Sequence, residues 1–408
     1  MRDGKIEMSG LLGYFSWDRK KVVEPKVKEK KVEEKQQPVR ALPASWYTSP
    51  EMYEFERRAI YANRWLFMTT KLRLPNTGDY LRYQFAGYDV AIYRNLQNEI
   101  KACHNVSKQS QQVLVDVNTK EASGNMDVSK FSFEDVFPIH TRLDRNGFVW
   151  INLDAKETPE IPFDQCFKDV DIQERYTQHG GIDFENYDLD HVYTLETEYN
   201  WKIASDNFNE CYHCPTTHAD IPAFLNLDSF DSALKDGHIQ HACAPTQEQI
   251  DLGVNVHSTY YFPNVSMTIG KHFLMIQKFL PHSPSTSISH YEVFKAKTST
   301  EEQFHLIADM YERVMREDKV LCNNAQANLN RGVFRAGLLH PKYEKAPIFF
   351  QQNCREVVQE HWAKEKKAGK EMHPAKQTGL TFEGPAQEPQ VEAGNGLEQG
   401  VQQEVLAW

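Results

Sequence analysis

The sequence predicts an α+β chain in two parts: a small antiparallel β domain, then a larger domain built from an antiparallel sheet and one long helix. Three observations predict it. Between Gly78 and Asp154 the chain runs as short strand-like segments (YLRYQFAGYDVAIYR, EIKACHNV, HTRLDRNGFVWINLD) divided by turn residues. From Val254 to Phe294 alternating runs recur (STYYFPNVSMTIG, HFLMIQKFLP, STSISHYEVF), the pattern of antiparallel strands. From about Thr300 to Leu329, Phe304, Ile307, Tyr311, Val314, Asp318, Leu321 and Ala325 recur at alternating spacings of three and four, which marks one face of a helix.

In chain order, residues 18–38 are a mixed Lys/Glu run without aromatics, expected to be a solvated tail. Folding is expected to begin near Leu42-Pro43. Ser49 to Trp65 reads as a helix, with Ser49 as N-cap, Pro50 at the first position and Glu51 in the first turn. The strand HVYTLETEYNWKI leads directly into a helix carrying Glu210. Beyond about Lys364 the chain is rich in Gly, Pro, Gln and Glu and is expected to be disordered. The expected division is a charged tail (1–44), a β domain (45–155), a catalytic domain (156–365) and a C-terminal tail (366–408).

Bulk composition excludes some classes. The net charge of −11 argues against nucleic acid or an anionic membrane as the main partner. No apolar run approaches 18 residues, and the N-terminus does not read as a secretory signal. The expected location is the cytosol. The 40% hydrophobic and 12% aromatic content suffices for a core. Seven scattered cysteines are expected to be reduced thiols.

The stretch Asn200–His218, NWKIASDNFNECYHCPTTH, concentrates Asp206, Glu210, His213 and His218 within thirteen residues. On a helix, Asp206, Glu210 and His213 share a face, and Pro215 then disrupts the helix and turns the chain to His218. A carboxylate on an apolar stripe, as at Asp318, must be paired, protonated or metal-bound. An ion pair with an Arg or Lys is the plain reading. Two histidines and one carboxylate also form the triad that holds open-coordinated Fe(II). Cys211 and Cys214 form a C-x2-C that suggests structural zinc, but on a helix they do not share a face with the histidines.

The same residues resemble the catalytic motif of the Rieske-type non-heme iron ring-hydroxylating oxygenases, α-subunit class, most of all the branch with choline monooxygenase and carnitine oxygenase. LPASWYTSPEMYEFERRAIYANRWLF, FPIHTRLDRNGFVWINLD and REDKVLCNNAQANLNRG resemble further family segments, so the resemblance covers about residues 42–365. It implies a Rieske-like β domain followed by a helix-grip catalytic domain. It implies His213, His218 and Asp318 as ligands of a mononuclear Fe(2+). It implies Glu210 as an acid bridging to a neighbour's cluster, and therefore a homo-oligomer, commonly a trimer. Asp206 matches an often polar position near the iron.

The chain departs from the family where the family's [2Fe–2S] ligands belong. That centre needs two Cys on one iron and two His on the other. Ser107 and Gln109 stand where the first Cys and His are expected, and Cys103 and His104 lie upstream with the wrong spacing. Between Gln112 and Phe137 there is no Cys and no His. The β domain is therefore expected to be degenerate, with no [2Fe–2S] cluster.

The leading expectation is an oxygenase without its own cluster. It would use O2 and Fe(II) to hydroxylate, dealkylate, desaturate or oxidatively rearrange a small organic molecule, with specialised metabolism as the expected setting. Its electrons would come from the substrate, a donor protein or a cluster-bearing subunit. Glu210 and Asp206 are the candidate catalytic acids. The alternatives are a non-redox metal-dependent isomerase, cyclase or hydrolase at the same site, and a non-catalytic subunit partnering an intact relative. A missing coding segment is a further explanation for the absent motif. If the substrate is a quaternary ammonium compound, Tyr260, Tyr261, Phe262 and Phe273 are candidates to line its pocket; plain core packing is the first reading for all four.

Overall fold

Ser49 does cap the first helix: its Oγ accepts the Met52 amide at 3.1 Å, with Pro50 opening the helix. The computed structural model describes residues 37–115, 122–125, 135–176, 182–219 and 221–377. The chain opens with a two-residue strand β1 (Val39–Arg40) and helix α1 (Pro50–Glu56), which loosens into a π-helical turn over Arg57–Tyr61. Seven strands follow: β2 (Leu66–Thr70), β3 (Asp79–Phe85), β4 (Tyr88–Arg94), β5 (Ile100–Ser107), β6 (Ala122–Asn125), β7 (Val136–Leu143) and β8 (Phe148–Asn152). They form one antiparallel sheet in the order β2-β8-β7-β5-β4-β3-β6.

After a short helix α2 (Phe163–Cys166) comes β9 (Tyr187–Thr197). Helices α3 (Trp201–Phe208), α4 (Cys214–Thr217) and α5 (Ile221–Phe224) precede β10 (Asp231–Lys235) and β11 (His238–Ala242). Helix α6 (Gln247–Leu252) leads to β12 (Val256–Tyr261), β13 (Val265–Gly270), β14 (Phe273–Ser283) and β15 (Thr286–Ala296). These strands form the second antiparallel sheet, β10-β11-β12-β13-β14-β15-β9. Helix α7 (Glu301–Asn330), strand β16 (Leu338–Leu339) and helix α8 (Lys345–Ala368) complete the described chain.

Helix α7 starts at a capping box, in which Thr300 and Gln303 satisfy each other's backbone amides. Its apolar face lies on the second sheet, where Phe304, Ile307, Tyr311 and Val314 share a core with Phe273, Met275, Tyr291 and Val293. Tyr311 stacks on Phe273 with ring centroids 5.2 Å apart. The expected stripe needs one correction. Beyond Asp318 it continues through Cys322 and Gln326, whereas Leu321 and Ala325 face outward. Alternating steps of three and four average 3.5, and a straight helix drifts about 20° per seven residues from that repeat.

The two sheets meet in a shared core of Phe67, Phe148 and Trp150 with Tyr261, Ile276 and Phe294. Beside it lies a buried charge cluster. Glu292 of β15 accepts from Tyr83 of β3 (2.8 Å) and Thr69 of β2 (2.9 Å), and pairs with Lys278 (3.0 Å) and Arg73 (3.1 Å).

Ordered chain enters both expected tails, 1–44 and 366–408. Val39–Arg40 pairs with Leu338–Leu339, and buried Leu42 donates its amide to Gln351 at 2.8 Å. At the other end, α8 runs to Ala368 and stops at Gly369 in the left-handed conformation (φ +64°). Residues 371–377 are held by Met372 N to Glu365 (2.9 Å) and by Ala155 N to the Pro374 carbonyl (2.8 Å). The remaining tail expectations, for 1–36 and 378–408, lie outside the described residues.

Candidate metal centre

Helix α3 begins where Asn200 accepts the Lys202 amide (2.9 Å) and ends at Phe208, two residues before Glu210. The expected helical face through Asp206, Glu210 and His213 is therefore broken. The cause is Asn209, whose side-chain amide donates to the Ser205 carbonyl (2.8 Å) and whose Oδ1 accepts from His241 Nε2 (3.0 Å). Such a side chain offers the backbone an alternative to further helix. The Glu210 carboxylate then folds forward, accepting the Tyr212 amide at 2.8 Å and contacting His213 Nδ1. Pro215 does not end a helix here; it opens the short α4, and His218 caps that turn.

The sequence-nominated triad does come together. The ligand atoms of His213, His218 and Asp318 all lie within 4.8 Å of one another. Asp318 Oδ1 is 3.1 Å from His218 Nε2 and 3.4 Å from His213 Nε2. Each imidazole therefore turns the same nitrogen inward. Each outer nitrogen has a carboxylate: Glu210 on His213 Nδ1 and Glu317 on His218 Nδ1, the latter at 2.7 Å. A proton on Nδ1 leaves a lone pair on Nε2, the arrangement a metal-binding imidazole needs. The donor set fits a divalent metal of borderline character, with one oxygen and two nitrogen donors and sides left free.

Electrostatics reinforce the cluster. Burial pulls the His213 imidazole down, but hydrogen bonds to Asp318 and Glu210 outweigh it and lift it to about 9. His218 is raised in the same way, with Asp318 and Glu317 overcoming burial. Burial pushes Asp318 up, yet the two histidines hold it below its ordinary range, so it stays ionised at neutral pH.

The triad forms one wall of a cavity open to solvent. Its other walls are mainly apolar, from Ile221, Leu225, Phe230, Val256, Val314 and Met315, with Ser258 and Thr268 as hydroxyls. Those two hydroxyls bond to each other at 3.0 Å. Among the described residues no Lys or Arg lines the cavity.

Other nominated residues are placed elsewhere. Asp206 is half-buried, its carboxylate held between Tyr47 (2.7 Å) and Gln351 (2.9 Å), and is not in the cavity lining. Burial pushes its carboxyl up to about 7 despite those donors. Tyr260, Tyr261, Phe262 and Phe273 do not line the cavity either; all four are core residues. Cys211 and Cys214 form a disulfide, which corrects the reduced-thiol expectation for this pair and leaves neither sulfur as a thiolate for zinc. Ser107 closes a local turn, accepting the amides of Gln109 (3.2 Å) and Ser110 (3.1 Å), and the Gln109 amide contacts Asp135. Cys103 is buried in a small apolar cluster, and burial holds the His104 imidazole down at about 4. Glu317 escaped the sequence reading because adjacent helical positions do not share a face. The available clue was the need of a ligating imidazole for a partner on its second nitrogen.

Comparison with known proteins places this geometry. Residues 184–251 and 242–360 match the family model described as ring hydroxylating alpha subunit (catalytic domain). The carnitine monooxygenase oxygenase subunit of Acinetobacter baumannii is 24% identical over 328 residues, 72% of this chain and 86% of that protein. The chloroplastic choline monooxygenase of Spinacia oleracea is 21% identical over 337 residues, 72% of this chain and 73% of that one. In shape, the chain is similar to a quaternary ammonium Rieske monooxygenase (TM-score 0.67, 21% identity, 79% of this chain and 96% of that one). It is also similar to naphthalene 1,2-dioxygenase (TM-score 0.63, 16% identity, 81% and 94%). Residues 184–360 therefore match a ring-hydroxylating α-subunit catalytic domain, the chain shares its fold with Rieske oxygenases, and it is an oxygenase.

Proposed function

We propose that this chain is a mononuclear Fe(II) oxygenase for a small, neutral or cationic, largely apolar organic molecule, working without a [2Fe–2S] cluster of its own. The convergence of His213 Nε2, His218 Nε2 and Asp318 within 4.8 Å carries the reading. Held there, Fe(II) supplies one-electron redox chemistry with O2. The chain's own residues do the rest. Glu210 and Glu317 fix the tautomer and angle of the two imidazoles. The ionised Asp318 supplies the one negative charge of the set. The apolar walls offer water few partners at the reacting face, and Ser258 with Thr268 offers the hydroxyls that orient a polar substituent.

The substrate class follows from charge. An anionic group would enter a cavity without a lysine or arginine partner, beside Asp318 and Glu210. A cation meets no such penalty, in keeping with the quaternary ammonium chemistry of the relatives named above. The absence of a cluster is supported by ligand chemistry: a hydroxyl and an amide at Ser107 and Gln109 cannot replace thiolate and imidazole. Assembly into a homo-oligomer, the trimer implied by the resemblance, is part of the same proposal.

The test is iron and acid-labile sulfide content of anaerobically purified protein, with low-temperature EPR after reduction. About one iron per chain, no sulfide and no reduced-cluster signal is the expected outcome. Two further irons with sulfide would show that Ser107 and Gln109 have been misread.

A further inference from the structure

Oxygenation of a C–H bond consumes O2, a four-electron oxidant, while the substrate gives up only two electrons. Two more electrons and two protons must reach the site in each turnover. A chain without a cluster needs another two-electron store close to the metal ligands. The C-x2-C that brackets His213 is such a store, and no role assigned so far uses it. Cys214 Sγ lies 3.9 Å from His213 Nε2, the nitrogen that faces the metal position. Cys211 and Cys214 both line the cavity, with Glu210 and His213 between and beside them. The pair is bonded as a disulfide, so its two sulfurs already sit where oxidation joins them. Cys211 is only half-buried, which leaves one sulfur open to attack by an external thiol.

We propose that Cys211 and Cys214 act as a redox-active dithiol that delivers the two electrons for O2 reduction at the neighbouring metal site. This rests on the oxygenase reading given above. In the balanced reaction, substrate C–H, O2 and the two thiols give C–OH, water and the Cys211–Cys214 disulfide. The two S–H bonds break, the S–S bond forms, and the two thiol protons leave in the water. Without substrate, the two thiols and O2 give the disulfide and hydrogen peroxide. The disulfide is then reduced by thiol–disulfide exchange with an external dithiol, whose thiolate attacks the more accessible Cys211 sulfur.

The three other cysteines buried in the described chain (Cys103, Cys322 and Cys354) serve as internal controls. Full-length protein is reduced with dithiothreitol, freed of reductant under anaerobic conditions, loaded with Fe(II) and given one pulse of O2. Differential alkylation and mass spectrometry then follow each thiol, while an electrode follows O2 and a peroxidase assay follows peroxide. The expected result is one Cys211–Cys214 disulfide per O2 consumed, at least tenfold faster with Fe(II) than without it, and no change at the buried three. The double variant Cys211→Ser/Cys214→Ser is expected to bind iron normally and to lose at least tenfold in dithiothreitol-driven O2 uptake. Oxidation of the pair at the same rate without iron, or a pair still reduced after O2 is consumed, would mark the disulfide as a structural staple only. Wild-type protein is also supplied with ascorbate as an independent donor. O2 uptake with ascorbate but an unchanged cysteine pair overturns the dithiol proposal alone, whereas no Fe(II)-dependent uptake with either donor overturns the oxygenase reading beneath it.

Discussion

At the scale of single residues, the centre is three side chains aimed by two others. His213→Ala and Asp318→Ala each remove a donor from a set of three, so both are expected to lose the metal and the activity together. Full metal content in both variants would show that the ion, if any, sits elsewhere. Glu317 is the sharper probe, because it touches His218 Nδ1 and not the inward face. Glu317→Gln keeps the shape but weakens the acceptor, and partners of this kind are commonly worth about 10–100-fold in metal affinity. A drop of that size in Fe(II) affinity by competitive chelation, with unchanged melting temperature, is the expected outcome.

At the scale of elements, α3 and α8 meet at Asp206, whose carboxyl is buried against Tyr47 and Gln351. Burial raises it to about 7 in the folded chain from an ordinary value of 3.8. A raised folded value means the folded chain holds the proton longer. The stability this contributes is present below about pH 4 and is lost as pH rises toward 7. Asp206→Asn removes the ionisation, so its stability relative to wild type is expected to rise by roughly 2–3 kcal/mol between pH 5 and pH 8. Urea melts at the two pH values check this; an equal effect at both would mean Asp206 is ionised throughout.

The elements also show what was legible. The second sheet and α7 were readable because period-two and period-three-to-four patterns each report one buried face. The triad was readable because a carboxylate on an apolar helix needs a partner. The break at Asn209 was not readable, since it depends on His241 arriving from β11, 32 residues away. The ordered stretches at 39–41 and 366–377 were missed for the same reason: composition describes a segment alone, and their partners lie far off in sequence.

At the scale of the molecule, Glu292 ties the sheets together, accepting from β2 and β3 while paired with Lys278 and Arg73. Burial alone would push its carboxyl up, but the two cations hold it down at about 2. The sign is therefore opposite to that of Asp206: its stabilisation is present above about pH 4.5 and fades as pH falls toward 2. Glu292→Gln takes a buried counter-charge away from Lys278 and Arg73, a loss that typically costs about 3–5 kcal/mol. A loss below 1 kcal/mol in a denaturant melt at pH 7 would show that the cluster relaxes at little cost.

The contact between Leu42 and Gln351 spans 309 residues of chain, and Arg58 reaches Glu365 across 307. On a ribosome adding about 5–20 residues per second, those partners appear roughly 15–60 s after the first helix emerges. For that interval Tyr61 can already pack on Phe85, but Phe55 lacks the His361 ring against which it finally lies. The fold is thus latched by α8, the last of the described helices.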